Sequence, residues 1–542
     1  MAIRYLLLLV AGLALADASV VTLALPPIIG ELDASVEGAA AVLGSYTLVL
    51  GLALPAAAYL RAVVGSRALG AGGALVFAAA SLGCGLAGSL GVLLALRGVQ
   101  AAGAAAVLVA AFALLDAGGT AHRAWTATAI FGFAAGPALG GALTQALDWR
   151  AIFLVQAPIA AVAAVAAWRA PEPLEREVEP ATWDVGPAVA LALVSAALVG
   201  VLFLLVLLLV TGWSVTPLAA AAAVTVLPVA AVGAARIPGP PRVRAAAGAA
   251  LVGGGVLALA SLPGASLWWT VLPQAMAGAG MGLALPALAG ELLPERTPEQ
   301  AARLLAHRHI GITVALVLLA PIAATRIDDA VAGGREQGTA LVLDARLPPL
   351  DKLTLAGTLV GDLDPVDPRG QLQASLDRAR GGIDAEDRAA YAALARRADE
   401  ALVTGVQEAF APAFAICGAL ALLAALLVLP RDRRGLTVVA AAAAAALVLA
   451  AGARLAQPRL EPEHVRIADP CVERDLPDTG GVDGALQDVA LIALDRAACR
   501  HGSSREQLAL ALVDDGARAD YEREFGVDPR DIGGLLGAVL GI

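Results

Sequence analysis

Long apolar stretches alternate with short polar connections along almost the whole chain. A helix that spans a bilayer needs about 20 mostly apolar residues, and a backbone inside lipid must satisfy its hydrogen bonds internally. Stretches of this length therefore predict membrane-spanning helices and an all-α polytopic membrane protein. The stretches cover residues 5–29, 37–60, 67–88, 91–115, 122–146, 150–168, 185–210, 214–235, 244–262, 266–293, 302–325, 405–429 and 436–456.

The first stretch has two interpretations. A basic residue, an apolar run and an Ala-Leu-Ala sequence are typical of a secretory signal peptide. The run continues to residue 29 and contains Asp17, which favours a first membrane span.

Arginines fall on alternate connections between the stretches, and only Arg150 departs from this pattern. Because cytoplasmic loops are enriched in Lys and Arg, the N-terminus is expected in the cytoplasm and the C-terminus outside. The polar segments 327–404 and 457–542 would then both be extracytoplasmic. The clustered arginines are Arg4, Arg61, Arg67, Arg123, Arg169, Arg176, Arg236, Arg242, Arg244, Arg296, Arg303, Arg308, Arg431, Arg433 and Arg434.

Composition excludes several functional classes. Of the 542 residues 59% are hydrophobic and 15% charged, whereas soluble domains are nearer 45–50% and 25%. A water-soluble enzyme is therefore excluded. The chain has no P-loop, no His-Glu-x-x-His and no Gly-x-Ser-x-Gly sequence, so neither ATP hydrolysis nor intramembrane hydrolysis has support. No basic aromatic surface indicates nucleic-acid binding. The Ala, Gly and Arg content is typical of a GC-rich genome and favours a bacterial source.

Four cysteines agree with the expected sidedness. Cys84 and Cys417 lie in predicted spans, where inert buried thiols are expected. Cys471 and Cys499 lie in the outer tail, where a small domain in an oxidising compartment favours a disulfide. No metal site is predicted, because the tail histidines lack a tight ligand spacing.

Three ordered motifs in the first half resemble those of a known family. Residues 16–26 contain Asp17 and end in Ala-Leu-Pro, residues 96–105 contain Arg97 and Gln100, and residues 132–141 read Gly-Phe-Ala-Ala-Gly-Pro-Ala-Leu-Gly-Gly. Residues 148–158 add a Trp-Arg-x-x-Phe-x-x-Gln-x-Pro sequence. Together they resemble the drug:proton antiporter branch of the major facilitator superfamily, over residues 1–429 and more weakly after 168. The resemblance implies two six-helix bundles that transport a substrate between them.

The resemblance and the physical chemistry both give Asp17 and Arg97 a role in proton coupling. A carboxylate in mid-span must pair, face a cavity or take up a proton, because an ionised one costs several kcal/mol in lipid. Arg97 would tune its proton affinity. The structural alternatives are an Asp17 that bonds neighbouring Ser19 or Thr22, and an arginine whose charged end reaches the membrane surface.

The glycine-rich stretch of the fifth span predicts an interface. Small residues four apart let helices approach closely, and proline bends a helix. Close packing and gating predict the same residues, so the motif locates an interface and does not prove motion. The residues are Gly132, Gly136, Pro137, Gly140 and Gly141.

The loop between the second and third spans departs from the family pattern. The family has an acidic residue where this chain has Ala62, and Leu60, Gly65 and the basic Arg67 remain. The departure weakens the charge latch that the resemblance implies. It indicates different gating, or a protein that no longer transports.

Other polar residues in the spans have two interpretations each. His309 is a proton-coupling candidate or an interfacial anchor for lipid head groups. The remaining candidates would line a substrate cavity or bridge helices, and they are Gln100, Gln145, Gln156 and Gln274.

The predicted organisation is a major-facilitator fold of two six-helix bundles plus one extra transmembrane helix and a small helical extracytoplasmic domain. The ranges are 1–169 for the N-terminal bundle, 170–184 for a cytoplasmic linker, 185–429 for the C-terminal bundle with insertion 327–404, 430–456 for the extra helix and 457–542 for the outer domain.

The predicted function is that of a proton-coupled transporter in the plasma membrane, an antiporter exporting small hydrophobic or amphipathic compounds. It would use no cofactor, only the proton gradient. The alternatives are an exporter of lipids or envelope precursors with the same fold, and a non-transporting scaffold or receptor. The outer segments also suggest an extracytoplasmic protein partner.

Overall fold

The computed structural model describes residues 2–115, 122–173, 184–348, 351–352, 355, 367–460, 465–477 and 481–530. The described residues form helices joined by short connections and contain no strand, and the chain divides into two compact units. The first unit consists of Met1–Val210, Val215–Thr325 and Phe410–Arg459. The second consists of Thr211–Ser214, Arg326–Ala409 and Leu460–Ile542.

Twelve helices of the described residues are long and apolar enough to cross a membrane. The helix that follows the fourth of them is described in part and corresponds to the predicted fifth span. In chain order the helices are α1 (Ala2–Thr22), α2 (Leu25–Glu31), α3 (Val36–Val64), α4 (Ser66–Gly85), α5 (Leu90–Leu114), α6 (His122–Ala146), α7 (Ala151–Arg169), α8 (Val185–Leu207, continued by a π-helix, Leu208–Gly212), α9 (Pro217–Val224), α10 (Val226–Ala234), α11 (Pro241–Leu259), α12 (Leu267–Leu292), α13 (Pro298–Leu343), α14 (Pro368–Arg380), α15 (Arg388–Leu427), α16 (Arg433–Leu460), α17 (Gly481–His501), α18 (Arg505–Val513) and α19 (Asp515–Phe525).

Several boundaries differ from the apolar pattern, each for a local reason. The first span ends at Thr22, because Pro26 and its neighbour favour a new helix start within α2. The predicted span 214–235 is two helices that meet at Thr225. Helices α13 and α15 have 46 and 40 residues, because they continue past their apolar stretches into polar segments of the second unit. Most of the predicted linker 170–184 lies outside the described residues.

The two halves of the first unit repeat the same close helix contacts. In the first half, a Cβ at Gly103 of α5 would lie 2.6 Å from the backbone nitrogen of Phe77 in α4. In the second half, a Cβ at Gly280 of α12 would lie 2.4 Å from the carbonyl oxygen of Gly248 in α11. Both pairs join the third and fourth spans of their half, so only glycine permits these backbones to touch.

The halves meet along two edges, each formed by the second span of one half and the fifth span of the other. At the α3–α13 edge, the hydroxyls of Thr47 and Thr313 lie 2.8 Å apart. At the α6–α9 edge, a Cβ at Gly141 would lie 2.4 Å from the Ala221 side chain. This pairing is what an approximate two-fold relation between two six-helix repeats requires.

The extra helix α16 lies against the second half. A Cβ at Gly254 of α11 would lie 2.2 Å from the Cβ of Ala446. Only 11% of the most apolar segment of this helix is buried in the protein, so lipid would cover most of it.

The second unit brings the insertion and the tail together through ion pairs. Arg505 of α18 is fully buried and its guanidinium lies 2.7 Å from the Asp344 carboxylate. Arg335 lies 3.1 Å from Asp514. Burial raises the pKa of the Asp495 carboxyl, although the nearby Arg505 and Arg474 act to lower it. A small apolar core stabilises the tail, with Ala497, Ala498, Leu508, Ala511 and Tyr521 buried and Leu494 and Phe525 packed on them.

Local sequence accounts for the helix ends of the tail. The Ser504 hydroxyl accepts a hydrogen bond from the backbone N–H of Gln507, and the Gln507 side-chain oxygen accepts one from the backbone N–H of Ser504, so the two residues form a capping box. Cys471 and Cys499 form a disulfide in the structure and fix the segment before α17 to that helix. Cys84 and Cys417 are buried free thiols.

Candidate functional site

Asp17 lies in the middle of α1 and is completely buried. Its carboxylate lies 2.5 Å from the Nη1 of Arg97 on α5, and this guanidinium is also completely buried. Asp17 is therefore not held by neighbouring hydroxyls alone, because Arg97 and Gln156 of other helices also bind it. Two opposite charges therefore form one dehydrated pair inside the first half.

Amides surround this pair and bind both of its members. Gln156 of α7 donates to Asp17 at 3.3 Å, and Arg97 donates to the Gln100 side-chain oxygen at 2.7 Å. Gln100 in turn donates to Ser81 of α4 at 2.8 Å and to Gln156 at 3.3 Å. The pair and its amides thus join α1, α4, α5 and α7, and the described side chains that bind the pair are neutral amides.

Aromatic rings cover the guanidinium. The Cζ of Arg97 lies 4.4 Å from the ring centroid of Tyr46 and 5.6 Å from that of Phe153. The Tyr46 hydroxyl donates to the Ala14 carbonyl at 2.8 Å, which holds its ring in place. Ring faces attract a cation most strongly when water is excluded. Arg97 therefore keeps favourable contacts that do not depend on the charge of Asp17.

Burial makes the charge balance of the Asp17–Arg97 pair important for its stability. Removing one partner of a buried ion pair leaves an uncompensated charge and costs about 3–5 kcal/mol. Protonating Asp17 neutralises one partner in the same way. The carboxylate has no exposed surface, so solvent does not contact it in this conformation.

The glycine-rich stretch of α6 contacts two different helices. A Cβ at Gly136 would lie 1.9 Å from the Ser19 hydroxyl, and one at Gly140 would lie 2.2 Å from the Val20 carbonyl oxygen. Gly141 faces α9 of the other half. Pro137 is buried within the same helix. The surroundings of Gly132 lie outside the described residues.

Helix α6 thus packs closely against α1 at Ser19 and Val20, directly after Asp17 in the chain. A shift of α6 against α1 would move the backbone next to the carboxylate. The glycine stretch is in this way physically connected to the Asp17–Arg97 pair and, through Gly141, to the second half.

The loop between α3 and α4 is built without the family's acidic residue. Gly65 has a φ of 83°, which only glycine adopts at low cost, and it separates the two helices. The Glu172 carboxylate accepts from the backbone nitrogens of Ser66 and Arg67, at 2.5 and 3.1 Å. Arg67 itself donates to the Trp168 carbonyl, and Leu60 is exposed on α3.

An ion pair crosses between the halves next to this loop. The guanidinium of Arg61, at the end of α3, lies 2.8 Å from the carboxylate of Glu299 in the first turn of α13. The Arg61 side chain is 13% exposed and that of Glu299 is 46% exposed. The charges at this edge are thus supplied by residues that the family motif does not contain.

The other predicted polar residues lie apart from the pair. The ring of His309 is buried on α13 and its Nδ1 lies 2.7 Å from the Leu305 carbonyl oxygen. Gln274 is buried on α12 and donates to Thr270 at 2.9 Å. Gln145 is exposed and accepts from the Leu218 backbone at 3.2 Å, at the start of α9. Of the four predicted cavity glutamines, Gln100 and Gln156 belong to the Asp17–Arg97 cluster.

A separate apolar cavity of about 210 Å³ lies between the halves. None of the four glutamines is among its described lining residues, and Arg308 is the one charged residue among them. The lining comes from α1, α6, α8, α12 and α13, and consists of Leu15, Trp125, Leu191, Met281, Leu285, Pro286, Ala289, Gly290, Leu293, Ala301, Leu304, Leu305 and Arg308.

Within the described residues, no group of three or more His, Cys, Asp or Glu side chains could hold a metal ion. Sequence reasoning missed the roles of Tyr46, Glu172 and the Arg61–Glu299 pair. An aromatic hydroxyl inside an aliphatic span was a signal for Tyr46. Residues 61 and 299 are 238 positions apart, so no local pattern could have joined them.

The sequence model of the Major Facilitator Superfamily matches residues 7–318, which is more than half of the chain. The chain belongs to the Major Facilitator Superfamily. It is therefore a multi-pass membrane protein and a secondary transporter by family rather than an enzyme. Transporters of this family generally need no cofactor and draw energy from an ion gradient.

Solved structures of one bacterial transporter have a similar fold. They are those of a bacterial homologue of the human lysosomal transporter Spinster, in inward-facing unoccupied and inward-facing occupied conformations. The unoccupied structure is 16% identical, with a TM-score of 0.53, and the match covers 79% of this chain and 97% of that one. The occupied structure is 15% identical, with a TM-score of 0.52, and the match covers 78% of this chain and 96% of that one. No curated protein sequence matches the chain.

Proposed function

We propose that this transporter is a proton-coupled antiporter of the drug:proton branch, which exports small hydrophobic or amphipathic compounds by alternating access. The observation that carries the proposal is the dehydrated Asp17–Arg97 pair at 2.5 Å, enclosed by Gln100 and Gln156. A titratable group that water reaches in only one conformation is the element that proton coupling requires.

The coupling step follows from charge balance. With Asp17 ionised, the pair is neutral overall and tolerates complete burial. With Asp17 protonated, Arg97 keeps its hydrogen bonds to Gln100 and to the Val42 carbonyl and its ring contacts, and the carboxylate charge that balanced it is lost. That state favours a conformation in which water reaches the pair. Binding and release of the proton would therefore shift the population of the two access states.

The two edges between the halves are the places where alternating access would act. The α6–α9 edge depends on Gly141, and the α3–α13 edge on Thr47–Thr313 and the Arg61–Glu299 pair. An exposed ion pair is weak enough to break in each cycle. It supplies the charge latch that the degenerate loop, with Leu60, Gly65 and Arg67, no longer offers, which argues against the scaffold alternative.

The sidedness follows from the arginine distribution. The N-terminus would be cytoplasmic, the second unit extracytoplasmic and the protein located in a bacterial plasma membrane. The Cys471–Cys499 disulfide agrees with an oxidising compartment around the second unit. This unit could receive cargo or bind an extracytoplasmic protein partner, and His309 stays a further candidate for proton coupling.

A second candidate function is the export of a lipid or an envelope precursor. It is favoured by the apolar walls of the cavity between the halves, which suit an acyl chain as well as a small hydrophobic drug.

The test is proton flux in liposomes that contain the purified transporter, with a panel of lipophilic drugs and lipids added. Wild-type protein is compared with Asp17→Asn, and the matched control is Glu37→Gln, which removes an exposed carboxylate in the first turn of α3. We expect a substrate-dependent pH change that Asp17→Asn abolishes and Glu37→Gln retains. Transport that persists in Asp17→Asn would overturn the role of Asp17. Folded protein without flux for any compound would support the scaffold alternative.

A further inference from the structure

We propose that helix α3 transmits the charge state of Asp17 to the edge between the halves, and that the ring of Tyr46 is the positioning group for this link. The inference rests on the proposed function for its physiological meaning, because it names the path by which a proton on Asp17 would act on the α3–α13 edge. It concerns a tyrosine that lies outside all the sequence motifs resembling those of the family.

One face of α3 binds the guanidinium of Arg97. The Arg97 Nε donates to the Val42 carbonyl at 3.2 Å, and its Cζ lies 4.4 Å from the ring centroid of Tyr46. Val42 and Tyr46 are four residues apart and therefore share a face of the helix. Both are buried, so these contacts with the cation are made where water is excluded and a cation–π contact is strongest.

Tyr46 also contacts the helix that carries the acid. Its hydroxyl donates to the Ala14 carbonyl of α1 at 2.8 Å. Ala14 precedes Asp17 by three residues, so the two lie on the same side of α1. Phe153 of α7 is the second ring near Arg97, at 5.6 Å from its Cζ, and a phenylalanine has no hydroxyl to bind α1. Tyr46 thus joins α3 to the helices of both charged residues.

The adjacent face of α3 contacts the second half. Thr313 of α13 donates to the His309 carbonyl at 2.9 Å, so its hydroxyl accepts from Thr47 across the edge, at 2.8 Å. One turn further along α3, a Cβ at Gly51 would lie 3.0 Å from the Ile310 side chain. This face therefore fits closely against α13, and a displacement of α3 would change the contact.

The two faces of α3 meet at consecutive residues. Tyr46 lies against the guanidinium and Thr47 bonds α13. A turn of helix is stiff, and close-packed interiors transmit strain between neighbouring elements. A movement of the Tyr46 ring would therefore displace Thr47 against α13.

Charge balance gives the origin of that movement. With Asp17 ionised, Arg97 is held between the carboxylate of α1 and the carbonyl and ring of α3. The other titratable groups described near Asp17 are the Tyr46 hydroxyl and the Cys84 thiol of α4, and such groups are mainly uncharged at neutral pH. Neutralising Asp17 removes the attraction towards α1 and leaves the contacts with α3, so the guanidinium is expected to follow α3.

The link can be measured as a distance, without transport. Nitroxide labels are attached to Val64→Cys at the end of α3 and to Arg303→Cys in the second turn of α13, both exposed positions. The free thiols Cys84 and Cys417 are buried. Asp17→Asn stands in for the protonated acid, and pulsed electron paramagnetic resonance is recorded on the full-length protein in nanodiscs. We expect Asp17→Asn to shift the mean distance by about 2 Å, the scale of helix shifts at interfaces.

Variants of Tyr46 test the assignment, each with and without Asp17→Asn. Tyr46→Leu removes the ring and should remove most of the shift. Tyr46→Phe keeps the ring contact with Arg97 and should restore most of it, a rescue that a merely structural role of the hydroxyl would not give. The matched control is Tyr59→Leu, which changes an exposed tyrosine of the same helix and should leave the shift intact.

A second variant covers the case in which Tyr46→Leu does not fold. Thr47→Val removes the hydroxyl that bonds Thr313 at the far end of the same path, without touching the ion pair. We expect it to reduce the shift that Asp17→Asn produces. Thermal unfolding identifies the variants that are folded.

The outcomes separate this inference from the proposed function. A shift that is unchanged in folded Tyr46→Leu, or in Thr47→Val where Tyr46→Leu does not fold, would overturn the inference. Absence of any shift with Asp17→Asn would overturn it too, and so would a Tyr46→Phe variant that behaves like Tyr46→Leu. A Tyr46-dependent shift in protein without proton flux would uphold the link and refute the transport proposal. Asp17-dependent flux with a shift independent of Tyr46 would do the reverse.

Discussion

The two halves of the bundle share their helix contacts and differ in their chemistry. Gly103 and Gly280 occupy the same place in each repeat and bring the third and fourth spans into backbone contact. The completely buried Asp17–Arg97 pair lies in the first half. Its α1 carries Asp17, whereas α8, the first span of the second half, contains no ionisable residue.

The second half supplies other features instead. Helices α8, α12 and α13 provide most of the described cavity lining, including Arg308. Between its fifth and sixth spans lies the insertion 327–404, where the first half has only a short turn at Asp148–Arg150. In that turn Trp149 and Arg150 bond Glu31, which lowers the pKa of the Glu31 carboxyl. The close glycine contacts thus occur in both repeats, whereas the buried ion pair lies in the first half and most of the described cavity lining lies in the second.

The largest expected effect concerns the buried pair. Arg97→Leu should lower the free energy of unfolding by about 3–5 kcal/mol, because it leaves Asp17 buried and unpaired. The double variant Asp17→Asn/Arg97→Leu should recover most of this loss. In the second half, Gln274→Leu should cost at most about 1.5 kcal/mol. Unfolding in detergent checks these values, and equal costs at Arg97 and Gln274 would contradict the asymmetry.

The shared packing predicts matched losses of stability. Gly103→Leu and Gly280→Leu should each lower the free energy of unfolding by about 1–3 kcal/mol or more, because the new side chains meet backbone atoms within 2.6 Å. Apart from the change in helix propensity, Gly233→Leu should alter the free energy of unfolding by less than about 0.5 kcal/mol, since a Cβ there meets nothing within 4 Å. Thermal unfolding of the three variants tests whether the two glycine contacts contribute equally to stability. A large loss at only one of the two sites would break the equivalence.

The insertion of the second half predicts a dependence of stability on pH in the alkaline range. Lys352, the only lysine of the chain, is buried and donates to the Leu343 carbonyl at 2.8 Å. Burial lowers its pKa from 10.5 to about 8. The unfolded chain binds the proton more tightly, so stability should rise with pH between about 8 and 10.5 and the full penalty should apply below 8.

Competitive acetylation of the amine at a series of pH values measures this pKa directly. Half-maximal reactivity of Lys352 is expected near pH 8 in the folded protein and near 10.5 after unfolding. Lys352→Met should remove the rise in stability over that window. A midpoint near 10.5 in folded protein would refute the effect of burial.

The smallest expected effect lies at the edge between the halves. The Arg61–Glu299 pair is partly exposed, so a double-mutant cycle with Arg61→Gln and Glu299→Gln should give a coupling energy of about 0.2–1 kcal/mol. The charge-reversed variant Arg61→Glu/Glu299→Arg should keep transport, whereas Arg61→Glu alone should slow it. Equal transport rates in the single and reversed variants would mean that this pair is not a latch.

Much of the fold could be predicted because its cause is local. A run of about 20 apolar residues is long enough to span lipid whatever surrounds it, so the spans could be located from the sequence, and the all-helical superfamily fold is confirmed. The boundaries were less certain where a polar segment continues a helix. Helices α13 and α15 extend well beyond their apolar stretches, because helical backbone needs no lipid to persist.

The candidate site could be predicted only in part. Asp17 and Arg97 were indicated by their charge within apolar spans, and glycine spacing indicated a close helix contact at Gly136 and Gly140. Their partners could not be predicted. In the structure Gln156 bonds Asp17, whereas Gln145 bonds the start of α9. These contacts depend on the rotation of each helix about its axis. The sequence does not fix that rotation, because the faces of each helix are similarly apolar.

The sequence by itself determined which segments enter the membrane, which half carries an ionisable first span and where helices can touch, because chain length, charge and side-chain size are properties of single residues. The tertiary structure alone decided that Arg97 neutralises Asp17, that Arg61 binds Glu299 across the halves, and that Asp344 of the insertion binds Arg505 of the tail. Each of these contacts joins residues distant in the chain. A buried charge must find an opposite charge in space, and only the packing of the helices fixes which one it finds.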